Sequence, residues 1–128
     1  MTMPGGQSTG TGFHHFWNAM RYTMAGFGAM LRETAFRQEL AAAVILFPLP
    51  WILHFGAVRS VLLNLLWVMV MIVEMLNTAI EAVVDLASPE WHPLAKKAKD
   101  IVSAAVSLAI ASNAFAWGIF LWLFFKAK

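Results

Sequence analysis

The sequence predicts an all-α membrane protein: a surface helix followed by three transmembrane helices. Three observations lead there. Of the 128 residues, 60% are hydrophobic and only 12% are charged, whereas a soluble domain carries about 25% charged residues. Three apolar runs, residues 40–58, 60–86 and 101–125, are each long enough to cross a bilayer at about 1.5 Å per residue. The basic residues gather before the first run and between the second and third, which is the asymmetry that orients membrane helices. A chain this short has room for one domain and no separate soluble catalytic module, so any chemistry must use the helices themselves. A net charge of +2, with no basic patch interleaved with aromatics, excludes nucleic acid as an expected partner. The absence of cysteine rules out disulfides and thiolate metal sites.

Residues 1–12, "MTMPGGQSTGTG", are small and polar and are expected to form a disordered tail, leaving 13–128 as the single domain. Phe13, Phe16, Trp17, Met20, Met24, Phe27 and Leu31 trace one face of a helix, while His15, Asn18, Tyr22 and Glu33 fall on the other. This predicts an amphipathic helix over about 13–37, lying along the membrane surface. The first span, "LAAAVILFPLPWILHFGAV", carries Pro48 and Pro50 in its second half, which must kink it or end the regular helix early. Residues 60–86 and 101–125 form the second and third spans. Arg21, Arg32 and Arg37 precede the first span, Arg59 alone separates the first two, and Lys96, Lys97 and Lys99 lie before the third. That distribution puts the N-terminus and the 87–100 loop in the cytoplasm, with Lys126 and Lys128 opposing it weakly.

The second span carries "VEMLNTAIEAVVD", residues 73–85. Glu81 lies about 20° to one side of Glu74 around the helix and Asp85 about 20° to the other, with Asn77 about 60° away. All four therefore share one stripe. A charge at mid-membrane costs roughly 2.5–3.5 kcal/mol on insertion scales, so this stripe must face protein, water or a ligand. Basic partners on neighbouring helices would serve as structural glue, but the spans supply too few of them. Carboxylates in excess of cations point to bound protons or metal, and oxygen ligands suit Mg²⁺. Lysines at the same boundary add a nucleotide phosphate as the third party.

Two further clusters flank that boundary: "RETAFRQE", residues 32–39, and "HPLAKKAKD", residues 92–100. Each also reads as ordinary interfacial or orienting charge. No phosphate-binding GxxxxGK[ST] loop or Gly-rich kinase loop occurs, so a phosphotransferase here is not built on a soluble kinase fold.

"VEMLNTAIEAVVD", "HPLAKKAKD" followed by "SAAV", and "ETAFRQE" together resemble the signatures of the small bacterial integral-membrane lipid kinases, the family of diacylglycerol kinase and undecaprenol kinase. The resemblance runs from about Phe13 to Trp122. It implies a homotrimer in the bacterial inner membrane, with composite active sites between subunits at the cytoplasmic face. It also implies direct transfer of the γ-phosphoryl group of ATP to the primary hydroxyl of a lipid. By the same resemblance Glu74 is the general base and Asn77 the amide beside it, and Glu33 and Glu81 bind Mg²⁺. Tyr22, Glu90, Trp91, His92, Lys99 and Asp100, with the metal pair, contact ATP. The lipid contacts implied are Ala35, Phe36, Arg37, Gln38, Glu39, Trp51, Arg59, Glu74, Ser103 and Trp117. The chemistry agrees in outline, because apolar surroundings make a carboxylate a better proton acceptor.

This chain departs from the family pattern near its start. The arginine that the family carries at the beginning of the surface helix is replaced by His14 and His15, neither a permanent cation at neutral pH, and the spacing from Tyr22 to Glu33 is one residue shorter. The expected substrate is diacylglycerol, towards which "AFRQE" leans. Undecaprenol, towards which "SPEWHPLAKKAKD" leans, is the alternative, and a non-enzymatic proton or ion conductor is the rival from another class. A conductor needs polar residues continuing across the membrane, and Val61 to Val73 offers only Asn64.

Overall fold

A computed structural model describes residues 12–128, and these form helices joined by short turns. The disordered tail expected over 1–12 lies outside the described residues except for Gly12, which opens the first helix. That helix, α1, runs Gly12–Met30. Its end corrects the expectation of one surface helix to residue 37. Arg32 and Glu33 N–H donate to the carbonyls of Ala29 and Met30, three residues back, which tightens the chain into a turn, and the next helix starts afresh at Thr34. Nothing in the composition marks this break, since Leu31, Arg32 and Glu33 are ordinary helix formers. The chain divides after Glu33 into two compact units.

The second unit opens with α2, Thr34–Leu46, and α3, Leu49–Ile52. Pro48 and Pro50 have no N–H to offer the carbonyls of Val44 and Leu46, so the regular ladder stops there. The helical part of this segment therefore covers 34–52 rather than 40–58. The chain then reverses through Leu53–Gly56. His54 sits at φ 59 and Gly56 at φ 94, the latter in a region closed to most side chains.

Two long helices complete the unit: α4, Ala57–Ala87, and α5, Pro93–Lys126. The start of α5 lies eight residues before the expected 101. Charge does not interrupt a helix of good helix formers, and the true boundary is marked by Pro93 in the first turn. His92 caps it, its Nδ1 accepting from the Leu94 N–H at 3.1 Å. With the combined α2–α3 segment, three stretches are long and apolar enough to cross a membrane.

α4 and α5 pack antiparallel. Arg59 lies over the Phe120 ring at 5.7 Å at one end, and Asp85 meets Lys99 at the other. Phe55, from the 53–56 turn, packs on Trp117 and Phe124 with ring centroids 5.8 and 5.4 Å away. α2 lies against α4 through Trp67, whose Nε1 donates to the Glu39 carbonyl at 3.0 Å. The core is small, with Phe36, Leu63, Val70, Pro50 and Ser60 its fully buried side chains. Large apolar side chains such as Leu65, Leu108 and Phe115 remain exposed on the single chain, as suits surface that meets lipid or another copy.

Candidate active site

The carboxylate stripe of α4 crosses a boundary. Counting about 20 residues for about 30 Å of hydrocarbon from Ser60 reaches the neighbourhood of Ala79. Glu74 then lies inside the apolar layer, and Glu81 and Asp85 emerge from it. Burial follows the same order: Glu74 is 8% exposed, Asn77 is half-buried, and Glu81 and Asp85 are exposed. Beside Glu74, across the α2·α4 seam, lies the buried carboxylate of Glu39, close enough for the two charges to repel each other. Glu39 Oε2 and Asn77 Oδ1 are buried and find no donor among the described residues. Both are acceptors, so this stretch of the seam is chemically ready for a ligand that brings an O–H, or for a proton.

About 16 Å further along α4, by helix rise, lies an open cleft of about 430 Å³ where the α4–α5 hairpin turns; its lining includes Asp85, Glu90, Trp91, His92, Lys99 and Asp100. Ser88 Oγ donates to the Glu90 carbonyl at 2.8 Å, which folds the loop back on itself. The His92 cap bond requires an unprotonated Nδ1, so the neutral ring keeps its proton on Nε2 as a donor. Lys99 Nζ lies 2.6 Å from Asp85 Oδ1 and Lys96 Nζ lies 2.6 Å from Asp100 Oδ2. Lys99 also lies in the field of Glu81. The cleft thus offers ammonium groups on a solvated rim, held for now by carboxylates that an anion can displace.

Glu90, Trp91, His92, Lys99 and Asp100 therefore share one cleft, one turn of α4 beyond Glu81. Tyr22, exposed on α1, and Glu33, just beyond its end, belong to the first unit and are described with it alone. The residues implied to contact lipid do not form a single cluster. Ala35 to Glu39 open α2, with Phe36 and Glu39 buried and Arg37 Nη2 3.4 Å from Thr34 Oγ1. Ser103 is exposed on the early part of α5. Trp51, Arg59 and Trp117 lie at the opposite end of the hairpin, about 20 Å from Glu74 along α4. Two residues, Asn64 and Asn113, carry structural weight that the sequence reading did not assign, and Asp85, read as part of the stripe, is placed in the cleft. Asn64 hydrogen-bonds both Trp51 and Phe47, and Asn113 is buried on α5 with Nδ2 unpartnered among the described residues. Asn113 was visible as an amide inside an uncharged span.

The sequence matches the prokaryotic diacylglycerol kinase family over residues 21–121. It is 43% identical over 116 residues to the diacylglycerol kinase of Escherichia coli K12, covering 90% of this chain and 95% of that one. The diacylglycerol kinase of Pseudomonas aeruginosa is 41% identical over 112 residues, 87% of this chain and 91% of the relative. That of Haemophilus influenzae is 38% identical over 109 residues, with 84% and 92% covered.

Proposed function

Because the chain belongs to the prokaryotic diacylglycerol kinase family, we propose that it is a lipid kinase of the bacterial inner membrane that phosphorylates diacylglycerol to phosphatidic acid with ATP. One observation carries the reading: Glu74 lies buried inside the apolar layer with unfilled acceptors on Glu39 Oε2 and Asn77 Oδ1 in the same region, below a charged cleft open to water that Lys96 and Lys99 help to line. A lipid alcohol brings its O–H from the first side, and a nucleotide brings its phosphates from the second.

In this reading Glu74 accepts the hydroxyl proton as the lipid oxygen attacks the γ-phosphorus, and Asn77 orients the hydroxyl. The P–O bond to ADP breaks as the new one forms, and the proton leaves through Glu74. Lys99 and the Nε2–H of His92 hold phosphate oxygens, while Glu90, Trp91, Asp100 and Tyr22 surround the nucleotide. Mg²⁺ suits the donors present, because it keeps several waters and needs only one or two carboxylates beside the phosphates, and Glu81 is exposed beside the cleft. Glu33 and Glu81 would hold it, and it would neutralise charge on the transferring phosphoryl group. Ala35 to Glu39, Trp51, Arg59, Ser103 and Trp117 line the lipid's path. The lysine distribution favours a cytoplasmic cleft and N-terminus, where ATP is available. The exposed apolar faces of α4 and α5 favour assembly, as a homotrimer with sites shared between subunits.

The relatives' shared name favours diacylglycerol over undecaprenol. A conductor is disfavoured, because Asn64, the one polar residue from Val61 to Val73, has both ends of its amide engaged. Purified protein incubated in mixed micelles with γ-labelled ATP, Mg²⁺ and dioleoylglycerol is expected to place label in phosphatidic acid. Label transferred to undecaprenol alone would overturn the substrate, and label transferred to neither would overturn the kinase.

A further inference from the structure

The seam between α2 and α4 is pinned at two levels. Seven residues before Glu74 on α4, Trp67 Nε1 donates to the Glu39 carbonyl. Towards the 53–56 turn, Asn64 uses its whole amide: Nδ2 donates to the Phe47 carbonyl at 3.0 Å and Oδ1 accepts from Trp51 Nε1 at 3.0 Å. Pro48 and Pro50 give this second level its importance. They interrupt the ladder between α2 and α3, and in an apolar layer a backbone carbonyl near the break needs a donor from elsewhere. Asn64 braces the break at the neighbouring Phe47 carbonyl, and the same amide fixes the indole. The Trp51 N–H is committed to α4, yet the residue stays 47% exposed, so much of the ring faces outward at a set height.

That height has a meaning along α4. From Asn64 to Glu74 is ten residues, about 15 Å of helix rise, which is about half of a hydrocarbon core of about 30 Å. Val68, Met71 and Met75, four, seven and eleven residues on from Asn64, continue its face to the level of Glu74, which lies about 80° around the helix from it. Leu40 and Val44 are exposed on α2. The seam thus offers an apolar flank one leaflet long. The proton acceptor lies beside one end, a quarter-turn around α4, and a held indole lies at the other.

We propose that the outer flank of the α2·α4 seam is the track for a substrate acyl chain, and that Asn64 is a positioning residue that sets its length by holding the Trp51 ring across the far end. This rests on the diacylglycerol kinase reading and adds a specificity to it. A chain no longer than the track lies flat along it. A longer one must bend around the indole and loses part of its contact.

The test measures kcat/KM for 1,2-diacylglycerols from dioctanoyl to distearoyl, in one detergent, for the intact protein and four variants. The unaltered protein is expected to discriminate against chains that overrun the track by about tenfold, the scale set by a misfitting methylene or two. Asn64→Leu and Trp51→Phe each remove the same hydrogen bond from opposite sides, and each should reduce that ratio to about twofold. Trp51→Ala should abolish it, and adding Asn64→Leu to Trp51→Ala should change nothing more, because Asn64 acts through the ring. A merely structural Asn64 would lower kcat/KM for all lengths alike. If Asn64→Leu does not fold, Trp51→Phe carries the comparison. A length profile unaltered by Trp51→Ala would overturn the proposal while leaving the kinase reading intact, and failure to phosphorylate diacylglycerol of any length would overturn both.

Discussion

Lys99 Nζ and Asp85 Oδ1 meet at 2.6 Å and tie α5 to α4 across the mouth of the cleft. Both side chains remain well exposed, at 43% and 64%, so water and salt screen the attraction and an incoming phosphate competes with Asp85 for the ammonium. Lys99→Gln is therefore expected to raise KM for ATP by about tenfold with no change in melting temperature. Asp85→Asn should lower it. Steady-state kinetics at saturating lipid checks both, and an unchanged KM in Lys99→Gln would take this lysine away from the nucleotide.

Replacing Glu74 by glutamine keeps the shape of a buried side chain and removes its basicity. Loss of a general base lowers kcat by about 10²- to 10⁴-fold, so Glu74→Gln should be nearly inactive yet fold and assemble like the parent on size-exclusion chromatography. Full activity would show that some other group takes the proton.

Glu81 and Glu33 have a different signature, since each is expected to supply an oxygen ligand rather than a base. Glu81→Ala or Glu33→Ala should shift the Mg²⁺ titration to higher concentration and recover activity as metal is added, which Glu74→Gln should not do. Titrations that overlay the parent's would make these carboxylates structural.

The membrane orientation is open to direct chemistry because the chain has no cysteine. Leu94 and Val58 are exposed near opposite ends of the hairpin. With the cleft in the cytoplasm, Leu94→Cys should resist a membrane-impermeant maleimide in intact spheroplasts and react after permeabilisation, whereas Val58→Cys should react in both. The reverse pattern would separate Lys99 and Asp100 from cellular ATP and defeat the kinase mechanism.

The three long helices were legible because unbroken apolar runs leave few alternatives, and Pro48 and Pro50 announced the end of α2. Boundaries set by charge were misplaced. The lysines of "HPLAKKAKD" sit within α5, and residues 34–39 within α2, because a helix does not end where the membrane does. The turn at 31–33 has no glycine or proline to betray it. The stripe of Glu74, Asn77, Glu81 and Asp85 could be read from spacing alone. The facing of Glu39 towards Glu74, and the two bonds of Asn64, depend on how α2 folds back, and pairings over 13 to 35 residues of chain leave no trace in local pattern. Asn64 looked like an isolated polar residue for that reason.

The loop at 88–92 is only five residues long, so closing the α4–α5 hairpin costs little chain entropy. Every residue lining the cleft falls between Asp85 and Asp100, within that one local closure. The acceptor seam, by contrast, needs α2 to return across the 53–56 turn. The two halves of the site consequently have different sequence ranges and different vulnerabilities. Damage at the proline break or at Asn64 would disturb the lipid half first, leaving the cleft at 85–100 on its own local closure.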